Sequence, residues 1–165
     1  MKIGYEDYEN YLQSFCSRLK ASFGGERILS VALFGSVARR QARPDSDIDL
    51  LIVHKKVDFN PAYRSVDIAF ALKEEDEYKN LVGRGLDPHP ACIFMTEGEL
   101  WDRPHILLDI LVEGILLFDI GVLESRLRAL RERLNALGSK RVALPDGTWY
   151  WDLKPDWKPG EIIEL

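Results

Sequence analysis

The chain has 165 residues, of which 46% are hydrophobic and 30% charged, and its formal net charge is −5. That length fits one domain with room for a small appendage, and the balance suits a folded chain rather than a disordered one. An acidic total argues against a protein that grips duplex DNA through its overall field, so nucleic acid is not the expected partner.

Tyr5, Tyr8, Leu12, Phe15, Leu19 and Phe23 recur at helical spacing and predict an amphipathic helix over 5–23, stopped by Gly24-Gly25. The opening residues, MKIGYEDYENYLQSF, lack the apolar core of a signal peptide. Apolar runs such as 115–118 are far too short to cross a bilayer, so a cytoplasmic protein without membrane contact is expected. Cys16 and Cys92 have no CxxC partner, which points to reduced thiols rather than zinc or a disulfide framework.

ILSVALF (28–34) reads as a buried strand cut off by Gly35. Ser36 to Ala42 suits a short helix with Ser36 at its N-cap, Pro44-Asp45-Ser46 is turn chemistry, and DIDLLIV (47–53) is a second strand. Pro61 opens a longer helix that is expected to run to about Val82, with KEEDE (73–77) on its solvated face. ACIFMT (91–96) is a third strand. Glu97 to Trp101 then gives a short helix, Pro104 opens another that ends near Gly114, and ILLF (115–118) is a fourth strand. Leu123, Leu127, Leu130, Leu134 and Leu137 stripe a helix over 120–137 that stops at Gly138. The remaining stretch, 141–165, is rich in Trp and Pro. Its Pro145-Asp146-Gly147 turn between two apolar runs predicts a hairpin, and the Pro-rich end predicts an extended arm. Trp149, Trp151 and Trp157 would be costly to expose, so they cover the domain's own core or form an interface, and the Leu stripe of 120–137 could face the core or a second copy of the chain in a homodimer. The order of elements gives an α+β domain over 1–140, with helix 5–23, core 27–119 and helix 120–137, and a small sheet flanked by helices.

The chemistry concentrates in FGSVARRQARPDSDIDL (34–50). Strand alternation puts Asp47 and Asp49 on one face, about 7 Å apart, where their charges repel. A divalent cation would compensate, and hard carboxylate oxygens select Mg²⁺ or Mn²⁺ over zinc. If 28–34 and 47–53 pair antiparallel, Gly35-Ser36 meets the aspartates at one end of the sheet. Gly35 lets a phosphate approach the backbone, Ser36 and the helix start offer donors, and Arg39 and Arg43 would neutralise phosphate charge. A polar turn before a strand would explain a lone Asp-x-Asp. It does not explain Gly35-Ser36 eleven to twelve residues earlier with Arg in between.

The run GSVARRQARPDSDIDLLIV resembles the signature of the polymerase beta-type nucleotidyltransferase superfamily, in its minimal nucleotidyltransferase branch. EGELW followed by VEGILLFD is similar to the later layout of small members, so the likeness spans roughly residues 28–120. The resemblance implies a nucleotidyltransferase fold with a small mixed sheet flanked by helices. It also implies transfer of a nucleoside monophosphate from an NTP, with ATP the expected one, to an acceptor hydroxyl on a protein or small molecule. Antitoxin members of the branch extend the candidate partners to a toxin protein. Carried over by position, Asp47 and Asp49 bind the metal and are catalytic, while Gly35, Ser36, Arg39 and Ser46 bind nucleotide. Active members usually carry a third carboxylate on the strand after the long helix. Here Ala91 or Cys92 falls near that position, Asp87 lies just before it, and Asp67 is read as a helix-surface residue. Arg40 stands where the family often has Gly. The alternative reading is a catalytically weakened module of the same fold that binds nucleotide or a protein partner.

Overall fold

The computed structural model describes residues 2–145 and 148–165. In chain order the elements are α1 (Tyr5–Ser22), β1 (Ile28–Phe34), α2 (Gly35–Ala38), β2 (Asp47–His54), α3 (Pro61–Leu72), α4 (Asp76–Gly83), β3 (His89–Thr96), α5 (Glu97–Asp102), α6 (His105–Glu113), β4 (Ile115–Asp119), α7 (Val122–Ala136), β5 (Lys140–Ala143) and β6 (Trp149–Asp152). Four strands form one sheet in the order β3-β2-β1-β4. β1 is antiparallel to both β2 and β4, and β2 runs parallel to β3, so the sheet is mixed. The chain divides into two compact units, one ending at Glu124 and one beginning at Ser125. No described helix is long and apolar enough to cross a membrane.

β1 and β2 read as nearly unbroken apolar runs because both faces of the sheet are covered. On one face Ile48, Leu50 and Ile52 pack with Leu33, Phe15 and Leu19 in the main core cluster. On the other, Leu51 and Val53 are equally buried. α1 and α3 contact each other, α3 lies on β3, α5 lies against β2 and β3, and α6 lies against β1. β3, with Pro90 near its start, is an outer strand of the sheet.

The sequence predicts one helix from Pro61 to about Val82, and the structure has two. α3 is well begun, with Asn60 Oδ1 accepting the Ala62 N–H at 2.9 Å and Pro61 in the first turn. It ends at Leu72, and α4 starts at Asp76. The cause is the acidic run Glu74-Glu75-Asp76-Glu77, which would repel itself within a continuous helix but is favourable at a helix N-terminus, where Asp76 and Glu77 now stand.

α2 also departs from expectation. It spans only Gly35–Ala38, its N-cap is Phe34, and Ser36 lies inside it without a capping role. The helix stops early because Arg40 adopts φ 57, the left-handed region that suits glycine. Arg40 is exposed, pairs with Glu6 at 3.3 Å, and lies close to Gly4. Relief of the left-handed residue should outweigh an exposed ion pair, so Arg40→Gly should stabilise the fold by up to about 1 kcal/mol. A higher denaturation midpoint at unchanged m-value would show this. A lower midpoint would mean that the Glu6 pair and the packing at Gly4 dominate.

In the second unit, β5 and β6 pair antiparallel from Lys140↔Asp152 to Ala143↔Trp149, which is the expected hairpin. Asp146 and Gly147 of the predicted turn lie outside the described residues. Arg141 stacks on the Trp149 ring at 3.9 Å. The expected extended arm is instead folded back. Turns form at Trp157 and Glu161, the Arg133 Nε donates to the Glu164 carbonyl at 2.8 Å, and Arg126 donates to the Leu165 carbonyl at 3.4 Å. Trp149 and Trp151 are half-buried, while Trp157 is 49% exposed with its indole N–H on the Glu161 carbonyl.

Candidate functional site

The site begins with the antiparallel register of β1 and β2, in which Phe34 stands opposite Asp49. The Gly35-Ser36 turn and the two aspartates therefore meet at one edge of the sheet, as the sequence predicts. Gly35 has φ +73, and a Cβ built on it would sit 2.0 Å from Asp49 Oδ2. The Asp49 carboxylate thus occupies the space that a side chain at position 35 would take. Here glycine is required twice, by its backbone angle and by the close approach.

Asp47 is exposed and Asp49 half-buried on the same face of β2. Burial raises the Asp49 pKa above the usual carboxylate range, the neighbouring Asp47 charge adds to this, and the Arg39 guanidinium partly offsets it. A carboxylate that pays for its charge in this way is a natural ligand for a cation. Paired with Asp47 on the same strand face, it suits Mg²⁺, which takes one or two carboxylates and completes its shell with substrate phosphates. Among the described residues there is no group of three or more His, Cys, Asp or Glu side chains that could hold a metal ion.

The remaining predicted residues fall into distinct roles. Ser46 Oγ accepts the Arg43 N–H at 2.8 Å, and the Ser46 N–H returns to the Arg43 carbonyl at 3.1 Å. Its hydroxyl is thus engaged in the turn that delivers Asp47. Arg43 is exposed in that turn. Arg39 closes α2, donating its own N–H to the Gly35 carbonyl at 3.2 Å, and its guanidinium Nη1 pairs with Glu113 Oε2 at 3.3 Å.

The parallel register of β2 and β3 settles which residue faces the aspartates. Ala91 stands opposite Asp49 and His89 opposite Asp47, and register partners share a face. Cys92 points the other way into the core, where burial pushes its thiol up to about 12. Asp67 is exposed on α3. Asp87 is also exposed. It pairs with His89 Nε2 at 3.0 Å, and its backbone N–H donates to the Pro44 carbonyl at 3.0 Å, tying the approach to β3 to the turn before β2. The position beside Asp49 is therefore occupied by Ala91, with a His–Asp pair next to it.

Glu113 is the site residue that the sequence reading missed. It is the last residue of α6, two positions before Ile115, which pairs with Leu33. The only local signal is an acid directly before the Gly114 that leads into an apolar strand.

A model of the nucleotidyltransferase domain family matches residues 9–117. No curated protein matches the sequence. Among solved structures, the chain is similar to a toxin–antitoxin crystallised with AMP-PNP, at 13% identity over 74% of this chain and 88% of that one, with a TM-score of 0.44. It is also similar to the toxin–antitoxin MntA–HepT, at 13% identity over 79% and 88%, with a TM-score of 0.39. Likeness at that level says nothing of activity.

Proposed function

The chain belongs to the nucleotidyltransferase domain family and has its fold, and from that premise we propose that it moves a nucleoside monophosphate from an NTP, with ATP the expected substrate, to a hydroxyl of a protein or small-molecule acceptor. The observation that carries this reading is the fit of the Asp49 carboxylate into the space left by Gly35, with Asp47 beside it on the same strand face. In the reaction the acceptor oxygen bonds to the α-phosphorus, the bond from that phosphorus to pyrophosphate breaks, and the acceptor proton passes to solvent.

Asp47 and Asp49 would hold the Mg²⁺ or Mn²⁺ ion. When bound, such an ion neutralises phosphate charge and stabilises the leaving pyrophosphate. Gly35 has no side chain to keep a phosphate from the backbone, and the first N–H groups of α2 have no partner within the helix. Arg39 supplies a planar guanidinium beside them, which suits phosphate oxygens.

A second reading has its own support. Ala91 stands where a third carboxylate would face Asp49, so no acid in that position takes the acceptor proton. In this reading the chain binds nucleotide but transfers slowly, and acts as a regulatory or partner-binding module.

Calorimetric titration of ATP, GTP, CTP and UTP with Mg²⁺ and with EDTA tests the proposal. We expect metal-dependent binding that the Asp47→Asn/Asp49→Asn variant loses. Binding followed by label transfer from [α-³²P]NTP supports the transferase, and binding without transfer supports the module. Absence of binding to every NTP would overturn the transferase and leave a partner-binding module on this fold.

A further inference from the structure

Arg39 is paired with a carboxylate from α6 and carries its charge near a second one in β2. Its charge acts on Asp49 in β2, and its Nη1 meets Glu113 Oε2 at 3.3 Å at the end of α6. Both partners of the second contact are withdrawn from water, with side-chain exposures of 32% for Arg39 and 20% for Glu113. An ion pair so placed is screened less than a surface one and holds its geometry better.

The backbone fixes both ends of this contact. Glu113 ends α6 at Gly114, where a Cβ would sit 2.6 Å from the Ile110 carbonyl, so only glycine fits the direct passage from helix to strand. Ile115 then pairs with Leu33, two residues before Gly35, and Arg39 closes the helix that Gly35 opens. The two side chains thus hang from one antiparallel ladder, Arg39 beyond the end of β1 and Glu113 before the start of β4. A guanidinium carries donors on three nitrogens. The contact to Glu113 uses Nη1, which leaves Nη2 and Nε to face other acceptors.

We infer that Glu113 is a positioning residue for nucleotide binding: it holds the Arg39 guanidinium at the Gly35–Asp49 edge so that its other two nitrogens meet the triphosphate. The inference rests on the nucleotide reading given above. A flexible Arg would lose rotamer freedom on binding phosphate, and Glu113 spends that entropy in advance. The arrangement explains why an acid sits where a phosphate-binding site would otherwise exclude one. Its charge is matched by Arg39, and its carboxylate approaches from the side of α6.

The test is a double-mutant cycle read as Mg-ATP affinity by calorimetry, with Glu113→Gln, Arg39→Gln and the pair, and thermal midpoints measured alongside. Glu113→Gln should weaken Mg-ATP binding roughly tenfold, the scale on which loss of an orienting partner acts. Arg39→Gln should weaken it at least as much, and in that background Glu113→Gln should cause no further loss. A purely structural ion pair would lower the thermal midpoint and leave affinity unchanged, which would overturn the inference. So would unchanged or tighter binding by Glu113→Gln, or additive losses in the double variant. If the unsubstituted protein binds no Mg-ATP, the nucleotide reading falls and takes this inference with it. Binding by that protein with no coupling in the cycle removes this inference alone.

Discussion

Replacing Gly35 with alanine should both weaken the fold and abolish nucleotide binding. The residue sits at φ +73, where a non-glycine residue costs about 1–2 kcal/mol. The added methyl would also lie 2.0 Å from Asp49 Oδ2 and 2.9 Å from its Cγ, so the carboxylate must swing out of its place, and the Asp49 Cβ at 3.2 Å must give as well. Forcing an atom into so tight a place costs about 1–3 kcal/mol more, so a total destabilisation of about 2–5 kcal/mol is expected. Chemical denaturation gives that number directly. If the variant still folds at low temperature, calorimetry should find no Mg-ATP binding, because Asp49 must leave the position in which, on the proposed function, it would share a cation with Asp47. A variant that keeps both stability and binding would mean that the close approach of Gly35 and Asp49 has no part in either.

The second large effect separates stability from function. Asp49→Asn should raise the stability of the protein in EDTA while removing Mg-NTP binding. Burial first, and the Asp47 charge second, hold the Asp49 pKa above its ordinary value. A group raised in the folded state contributes stability that is fully present below its unfolded pKa and is lost as pH rises through its folded pKa. Where Asp49 is ionised the native protein therefore carries the charge at a cost, and the neutral amide removes that cost without changing shape. The thermal midpoint of Asp49→Asn in EDTA should exceed that of the unsubstituted protein at pH 7. The gap should close as the pH falls through the acid range, where Asp49 is protonated. Binding should move in the opposite direction. Loss of a group that merely orients a metal ligand already costs about 10–100-fold, so loss of a ligand should cost at least about 100-fold. Addition of Mg-ATP should then raise the midpoint of the unsubstituted protein and leave the variant unmoved. A variant that is less stable in EDTA would show that Asp49 is a structural anchor rather than a strained ligand.

What could be read in the sequence was local. Gly35 and the Asp47/Asp49 pair were legible because strand alternation and one glycine fix their relation once β1 and β2 are taken as antiparallel, as they are. The hairpin of β5 and β6 was legible from two apolar runs around a turn sequence. The division of α3 from α4 was not, because helical periodicity continues across the acidic run and only the balance of repulsion against helix-end charge decides the outcome. The shortening of α2 depended on a left-handed Arg40, which no propensity would assign to arginine. Glu113 was missed for a different reason. It is seventy-four residues from Arg39 in sequence, and only the pairing of β4 with β1 brings the two together. The identity of the residue facing Asp49 likewise waited on the β2–β3 register, which selects Ala91 over Cys92.

The outer position of β3 has a further consequence, for the behaviour of the protein in crowded solution. An unpaired strand edge is a template on which another chain can add a strand, and sheets that leave it open tend to aggregate. β3 begins His89-Pro90, and proline brings no N–H to the ladder, which confines it to strand edges. At the opposite rim, β4 has only five residues. Pro90 trims the start of one rim to a run of six residues and the other rim has five, so both runs of donors and acceptors open to an incoming strand are short. The aspartate-bearing end of the sheet can therefore stay open to a substrate without the sheet's sides inviting other chains to pair.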